Sequence, residues 1–183
     1  CIIFIEFTHE KGFQIFLDLK FHDIPNTVKE SILGITSLPI EILTIHTSGG
    51  LHMMKAAMEA VKGTNIKVFG VTALTSLSND DVKYIFQRDI SDQVNAMLDL
   101  AEQAGIDGVV CSPHELELVK ARDCFLSVTP GIRLVQSEDD QSRVMTPSKA
   151  IELGADYLVI GRPITGSQDI SSTLENIHQS INA

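Results

Sequence analysis

The segment QIFLDLKFHDIPNTVKESILGITSL, Gln14 to Leu38, decides the fold. It reads as a short apolar run, Gln14–Leu19, that ends on charged residues. A proline turn then leads into an amphipathic stretch of helical length, Val28–Leu38. The same order recurs toward the C-terminus. Apolar runs occupy Glu41–His46, Lys67–Ala73, Asp107–Cys111, Phe125–Val128 and Tyr157–Ile160. Amphipathic stretches fill the intervals at Gly50–Lys62, Ser91–Ala104, Pro113–Ala121 and Pro147–Leu153, and a last helix covers Ser171–Ile181. Continuous apolarity, rather than alternation, suits parallel strands buried on both faces. Gly105 and Gly154 stand where helix C-caps are expected.

Serial βα units close most economically as a (β/α)₈ barrel. A doubly wound open sheet is the alternative, but no G-x-G-x-x-G follows the first strand. Polar residues stand instead just after almost every strand: Asp18 and Lys20, His46 and Thr47, Thr75 and Ser76, Ser112, Arg133, Arg162. A barrel uses the C-terminal ends of all its strands as one site, whereas an open sheet uses mainly one switch point. The expectation is therefore one α/β domain over residues 1–183, a (β/α)₈ TIM barrel. Such barrels usually take about 250 residues. The N-terminal strands are accordingly expected to be incomplete, with segments missing from the chain. CIIFIEF, Cys1–Phe7, reads as a buried strand, and the THEKGF that follows is too short for a helical crossover.

Charge and composition remove several classes of function. A net charge of −10 and a pI near 4.9 leave no basic stripe for nucleic acid. With 44% hydrophobic residues and a mean hydropathy of +0.14, the chain has enough apolar material for a core. No apolar run approaches the roughly 18 residues of a membrane span, and the N-terminal run lacks the basic flank of a secretory signal. Three unpatterned cysteines, Cys1, Cys111 and Cys124, suit free thiols in a reducing cytoplasm. His22, His46 and His52 have no metal-ligand spacing. His46 is expected to line the barrel or to be hydrogen-bonded. Met53, Met54 and Met58 follow helical spacing and suit packing.

Asp18, Lys20 and Asp23 form a D-x-K-x-x-D group at a strand end. Residues two apart in a strand share a face, so Asp18 and Lys20 should point the same way. A plain strand-end salt bridge is one reading. The cost of burying such charges without pairing, and the concentration of such clusters at functional sites, favour a catalytic reading. Pro25 sets the turn, and Thr27 caps the next helix or binds substrate.

FLDLKFHDIPNT, Phe16–Thr27, resembles the signature of the orotidine 5'-phosphate decarboxylase family almost letter for letter. The resemblance continues, in order, through HTSGG (His46–Gly50), VTALTSLS (Val71–Ser78) and DGVVCSPHE (Asp107–Glu115). It extends through VTPGIR (Val128–Arg133), DDQSRVMTP (Asp139–Pro147) and YLVIGRPIT (Tyr157–Thr165).

The resemblance implies a role for each matching residue. Lys20 would be the general acid that protonates C6 of the pyrimidine as carbon dioxide leaves. Asp18 would sit beside the departing carboxylate, and two like charges about 4 Å apart repel by roughly 4 kcal/mol at an effective dielectric of 20. Asp23, with Ile24 and Thr27, would reach the neighbouring site of a homodimer. Ser76 and Thr75 resemble the contacts to the pyrimidine edge, although strand-end capping explains them equally. Arg162 resembles the phosphate anchor, with Gly161 letting backbone N–H groups approach the same anion. Gln141 resembles a lid residue bridging phosphate and pyrimidine, in a loop rich in Ser137, Glu138, Asp139 and Asp140. Arg133 supports the phosphate end or forms a structural ion pair.

The implied reaction converts orotidine 5'-monophosphate to uridine 5'-monophosphate in pyrimidine synthesis, with no cofactor and no metal. The family pattern also carries a ribose-binding Asp and a second-strand Lys upstream, and Glu6, Glu10 and Lys11 do not match them. Two rival readings follow. One is the related sugar-phosphate branch, which shares D-x-K-x-x-D but uses Mg²⁺. The other is an inactive barrel kept for binding or dimerisation.

Overall fold

The computed structural model describes residues 2–134 and 144–182. The chain forms two compact units, Cys1–Thr72 with Asn95–Val109, and Ala73–Val94 with Val110–Ala183.

The N-terminal run is a helix, α1 (Ile2–Glu10), and not the expected strand. Apolar runs of this length do not distinguish strand from helix by periodicity. Only Ile5 is buried in it, while Ile3 and Phe4 are 81% and 70% exposed.

The expected alternation then begins: β1 (Phe16–Phe21), α2 (Pro25–Leu33), β2 (Ile42–His46), α3 (Gly50–Ala60) and β3 (Lys67–Val71). Next come α4 (Asn79–Phe86), α5 (Ile90–Ala104), β4 (Gly108–Val110) and α6 (Leu116–Lys120). The chain ends with β5 (Leu126–Thr129), α7 (Pro147–Glu152), β6 (Tyr157–Leu158), α8 (Arg162–Thr165) and α9 (Ile170–Ile181). The helix α4 is not among the expected stretches, although Ser78 and Asp81 form a capping box at its start. The helix α2 begins at Pro25 with Ile24 as its N-cap, so Thr27 lies inside the first turn and does not cap it. Proline at the first helical position loses no intrahelical hydrogen bond.

In the first unit β1 pairs parallel with β2, and β2 with β3. The core strand β2 is buried along its length, with Leu43, Thr44 and Ile45 at 0% exposure. The strand β1 departs from the two-sided burial expected of it, since Phe16 and Leu19 remain exposed. Its described strand partner is on one side only. The helices α2 and α3 pack together, and Lys29 pairs with Glu59 at 2.9 Å. Met53 and Met54 are fully buried, as their spacing predicts.

In the second unit β5 pairs parallel with β6, and the Cys111 N–H donates to the Val128 carbonyl. Neither Cys111 nor Cys124 forms a disulfide.

One turn occurs in both units. Gly105 and Gly154 adopt φ of 71° and 91° after α5 and α7, the left-handed end that glycine permits. A buried Ile106 or Ala155 follows, and then an aspartate. Asp107 accepts the N–H of Val68 in β3 at 2.8 Å. Asp156 accepts the N–H of Ser127 in β5 at 2.7 Å and its hydroxyl at 2.8 Å. Each carboxylate thus ties the start of one strand to the strand before it. Both ties lie at the N-terminal ends of strands, where a barrel keeps stability rather than chemistry.

Candidate active site

Asp18, Lys20, Asp23, Ile24 and Thr27 belong to the first unit; Thr75, Ser76, Arg133, Gly161 and Arg162 belong to the second. Gln141 and the acidic stretch Ser137–Asp140 lie outside the described residues.

At the end of β1 the Lys20 ammonium rests on Oδ2 of Asp18. The expected pair is therefore present, with each side chain 40% exposed rather than buried. Its backbone is not the flat strand that residue spacing implies. Lys20 has φ of 51°, and the β1–β2 register shifts between Leu17 and Phe21. A left-handed backbone costs an L-residue about 1–2 kcal/mol and must be held by its surroundings. The holding group is Thr44 of β2. Its hydroxyl oxygen accepts the Lys20 N–H at 2.9 Å and its proton goes to Oδ1 of Asp18 at 2.8 Å.

Two histidines stand by this pair. The His46 and His22 rings are 5.2 Å apart with a 43° tilt, and His22 Nε2 is 3.5 Å from Ser48 Oγ. Burial, then the charges of His22 and Lys20, hold the His46 pKa below the ordinary imidazole value against an opposing pull from Asp18. His46 is therefore neutral at pH 7. Asp23 is exposed and accepts the Ile24 N–H at 2.7 Å; Ile24 is 67% exposed and Thr27 is also exposed.

In the second unit Thr75 is half-buried and Ser76 exposed, in the turn before α4. Arg133 is buried, and its Nη1 donates to the Ile132 carbonyl at 3.0 Å. Its backbone N–H donates to the Met145 carbonyl at 3.0 Å. Gly161 precedes α8, and a side chain there would meet nothing within 4 Å. Arg162, exposed, is the first residue of α8.

Several strand-end polar residues serve the fold instead of chemistry. The Thr47 hydroxyl is buried on the Val71 carbonyl at 2.8 Å. Ser112 and Glu115 cap each other in a tight turn. Sequence reasoning missed Thr44, whose signal is a hydroxyl within the otherwise apolar ILTI, two residues before His46. Among the described residues no group of three or more His, Cys, Asp or Glu side chains could hold a metal ion. No described helix is long and apolar enough to cross a membrane.

Serial parallel βα units with polar residues at the strand ends are the pattern of the (β/α)₈ barrel class. The family described as orotidine 5'-phosphate decarboxylase / HUMPS matches residues 4–177. The orotidine 5'-phosphate decarboxylase of Wolbachia pipientis is 47% identical, over 91% of this chain and 75% of its own length. That of Shewanella sediminis is 47% identical, over 94% and 77%. The crystal structure of the orotidine 5'-phosphate decarboxylase from Lactobacillus acidophilus superposes with a TM-score of 0.84 at 37% identity, covering 100% of this chain and 82% of that one. The chain belongs to the orotidine 5'-phosphate decarboxylase / HUMPS family, and is an enzyme of its carboxy-lyase branch.

Proposed function

We propose that this chain converts orotidine 5'-monophosphate to uridine 5'-monophosphate without cofactor, as a cytoplasmic enzyme built as one barrel domain. The carrying observation is the Lys20 ammonium on the Asp18 carboxylate, in a chain 47% identical to named decarboxylases.

The C6 carboxylate leaves as carbon dioxide, and the electron pair of the broken bond stays on C6. The Lys20 ammonium stabilises that developing charge and then gives C6 a proton, leaving an amine that solvent reprotonates. Asp18 repels the substrate carboxylate, and this repulsion ends as carbon dioxide departs. Arg162 binds the phosphate, with Gly161 leaving its backbone open to the same anion. Arg133 supports that end, Gln141 bridges phosphate and pyrimidine, and Thr75 and Ser76 take the pyrimidine edge.

Asp23, Ile24 and Thr27 serve the neighbouring site of a homodimer, a reading supported by their exposure beside the catalytic strand. Mixing Lys20→Ala with Asp23→Ala subunits should then regain activity that neither parent has. No regain removes the shared site.

An absorbance assay with the orotidine nucleotide, with and without chelator, tests the reaction. Loss of the substrate absorbance, unchanged by chelator, is expected. No turnover removes the proposal, and turnover that survives the chelator excludes the Mg²⁺-dependent sugar-phosphate branch.

A further inference from the structure

We infer that Thr44 is the positioning residue that aims both Lys20 and Asp18, an inference that rests on the decarboxylase reading above.

Thr44 is fully buried in the middle of β2, between the fully buried Leu43 and Ile45. A hydroxyl has one proton to donate and two lone pairs to accept with. Here the proton goes to Oδ1 of Asp18 and a lone pair takes the Lys20 N–H. The Lys20 ammonium closes the circuit on Oδ2 of the same carboxylate. Backbone of Lys20, hydroxyl of Thr44, carboxylate of Asp18 and ammonium of Lys20 thus form one ring of interactions.

That ring sits where β1 leaves the regular ladder. The register shifts between Leu17 and Phe21, Lys20 is left-handed, and its N–H goes to the Thr44 side chain rather than into the ladder. The Thr44 hydroxyl takes the donor that the shift displaces. The same oxygen orients Asp18, so that Oδ1 is held by β2 and Oδ2 is left for the ammonium. Thr44 touches no reacting atom; it acts through the two residues that do.

Thr44→Val keeps the shape and removes the hydroxyl, and Thr44→Ser restores the hydroxyl. The experiment compares kcat and KM for the orotidine nucleotide, and the hydrogen exchange of the Lys20 backbone amide by NMR. Thr44→Val should lower kcat about 100-fold with KM within about threefold, the scale of a small misplacement of a catalytic group. Its Lys20 amide should exchange at least about tenfold faster, equivalent to about 1.4 kcal/mol. Thr44→Ser should return both toward wild type. A Thr44→Val enzyme with kcat within about threefold of wild type overturns the inference, as does an unchanged Lys20 amide or a loss that serine does not rescue. If Thr44→Val does not fold, Thr44→Ala is read by the same criteria. If the wild-type protein shows no turnover, the decarboxylase reading fails separately, and the amide exchange alone decides whether Thr44 holds Lys20.

Discussion

The ammonium of Lys20 meets the carboxylate of Asp18 across a backbone that turns left-handed at Lys20, with φ of 51°. The two side chains meet within β1, where its register to β2 shifts between Leu17 and Phe21. That geometry separates the chemical role of Lys20 from its conformational cost.

Lys20→Ala and Lys20→Gly should both abolish decarboxylation while nucleotide binding remains measurable. Glycine adopts the left-handed region freely and alanine does not. Lys20→Gly should therefore be more stable than Lys20→Ala by about 1 kcal/mol in urea denaturation. Near-normal turnover by either variant sinks the proton-donor role, and equal stabilities sink the strain.

Arg162→Ala should act mainly on binding. A charge-assisted contact to phosphate contributes about 1.5–3 kcal/mol, so KM should rise by about 10- to 100-fold with kcat little changed. Saturation kinetics read this directly, and an unchanged KM removes Arg162 from the phosphate.

Asp156 is expected to contribute to acid stability. Burial alone would raise its pKa, but the hydrogen bonds from Lys120 and Ser127 and the Lys120 charge together bring it below the ordinary carboxylate range. A depressed folded pKa gives stability that is present above the unfolded value, about 3.9, and is lost as pH falls through the folded one. Asp156→Asn should lose about 1–2 kcal/mol at pH 7 and show a flatter acid limb than wild type in denaturant titrations. Parallel acid limbs would show that Asp156 does not carry it.

His46 acts in a higher window. Its folded pKa is lowered by burial and by His22 and Lys20, so the unfolded chain binds the proton first as pH falls below about 6.5. Stability should therefore rise with pH as the unfolded imidazole deprotonates, and His46→Gln should flatten that rise. Unfolding free energies measured between about pH 5 and 7.5 check it, and an unchanged slope in the variant refutes it.

Much of the fold is legible because buried parallel strands are written as short apolar runs and helices as amphipathic ones. Five of the strand runs and their helices lie within a few residues of where the pattern puts them, from Ile42–His46 to Tyr157–Leu158. CIIFIEF is illegible for the opposite reason. A short, almost wholly apolar run carries no clear period, so a strand and the helix α1 fit it equally. The capping pair Ser78 and Asp81 does mark α4, and Val82, Ile85 and Phe86 at i, i+3 and i+4 give it an apolar stripe that the expected pattern omits.

The sequence by itself determined the serial βα order and the presence of Asp18, Lys20 and Asp23 at the end of one strand, because both depend on residues near each other in the chain. Only the tertiary structure decided that Lys20 would be left-handed and that Thr44, 24 residues away, would hold it to Asp18. A hydrogen bond between strands exists only once their register is set, and the packing of the whole core sets that register.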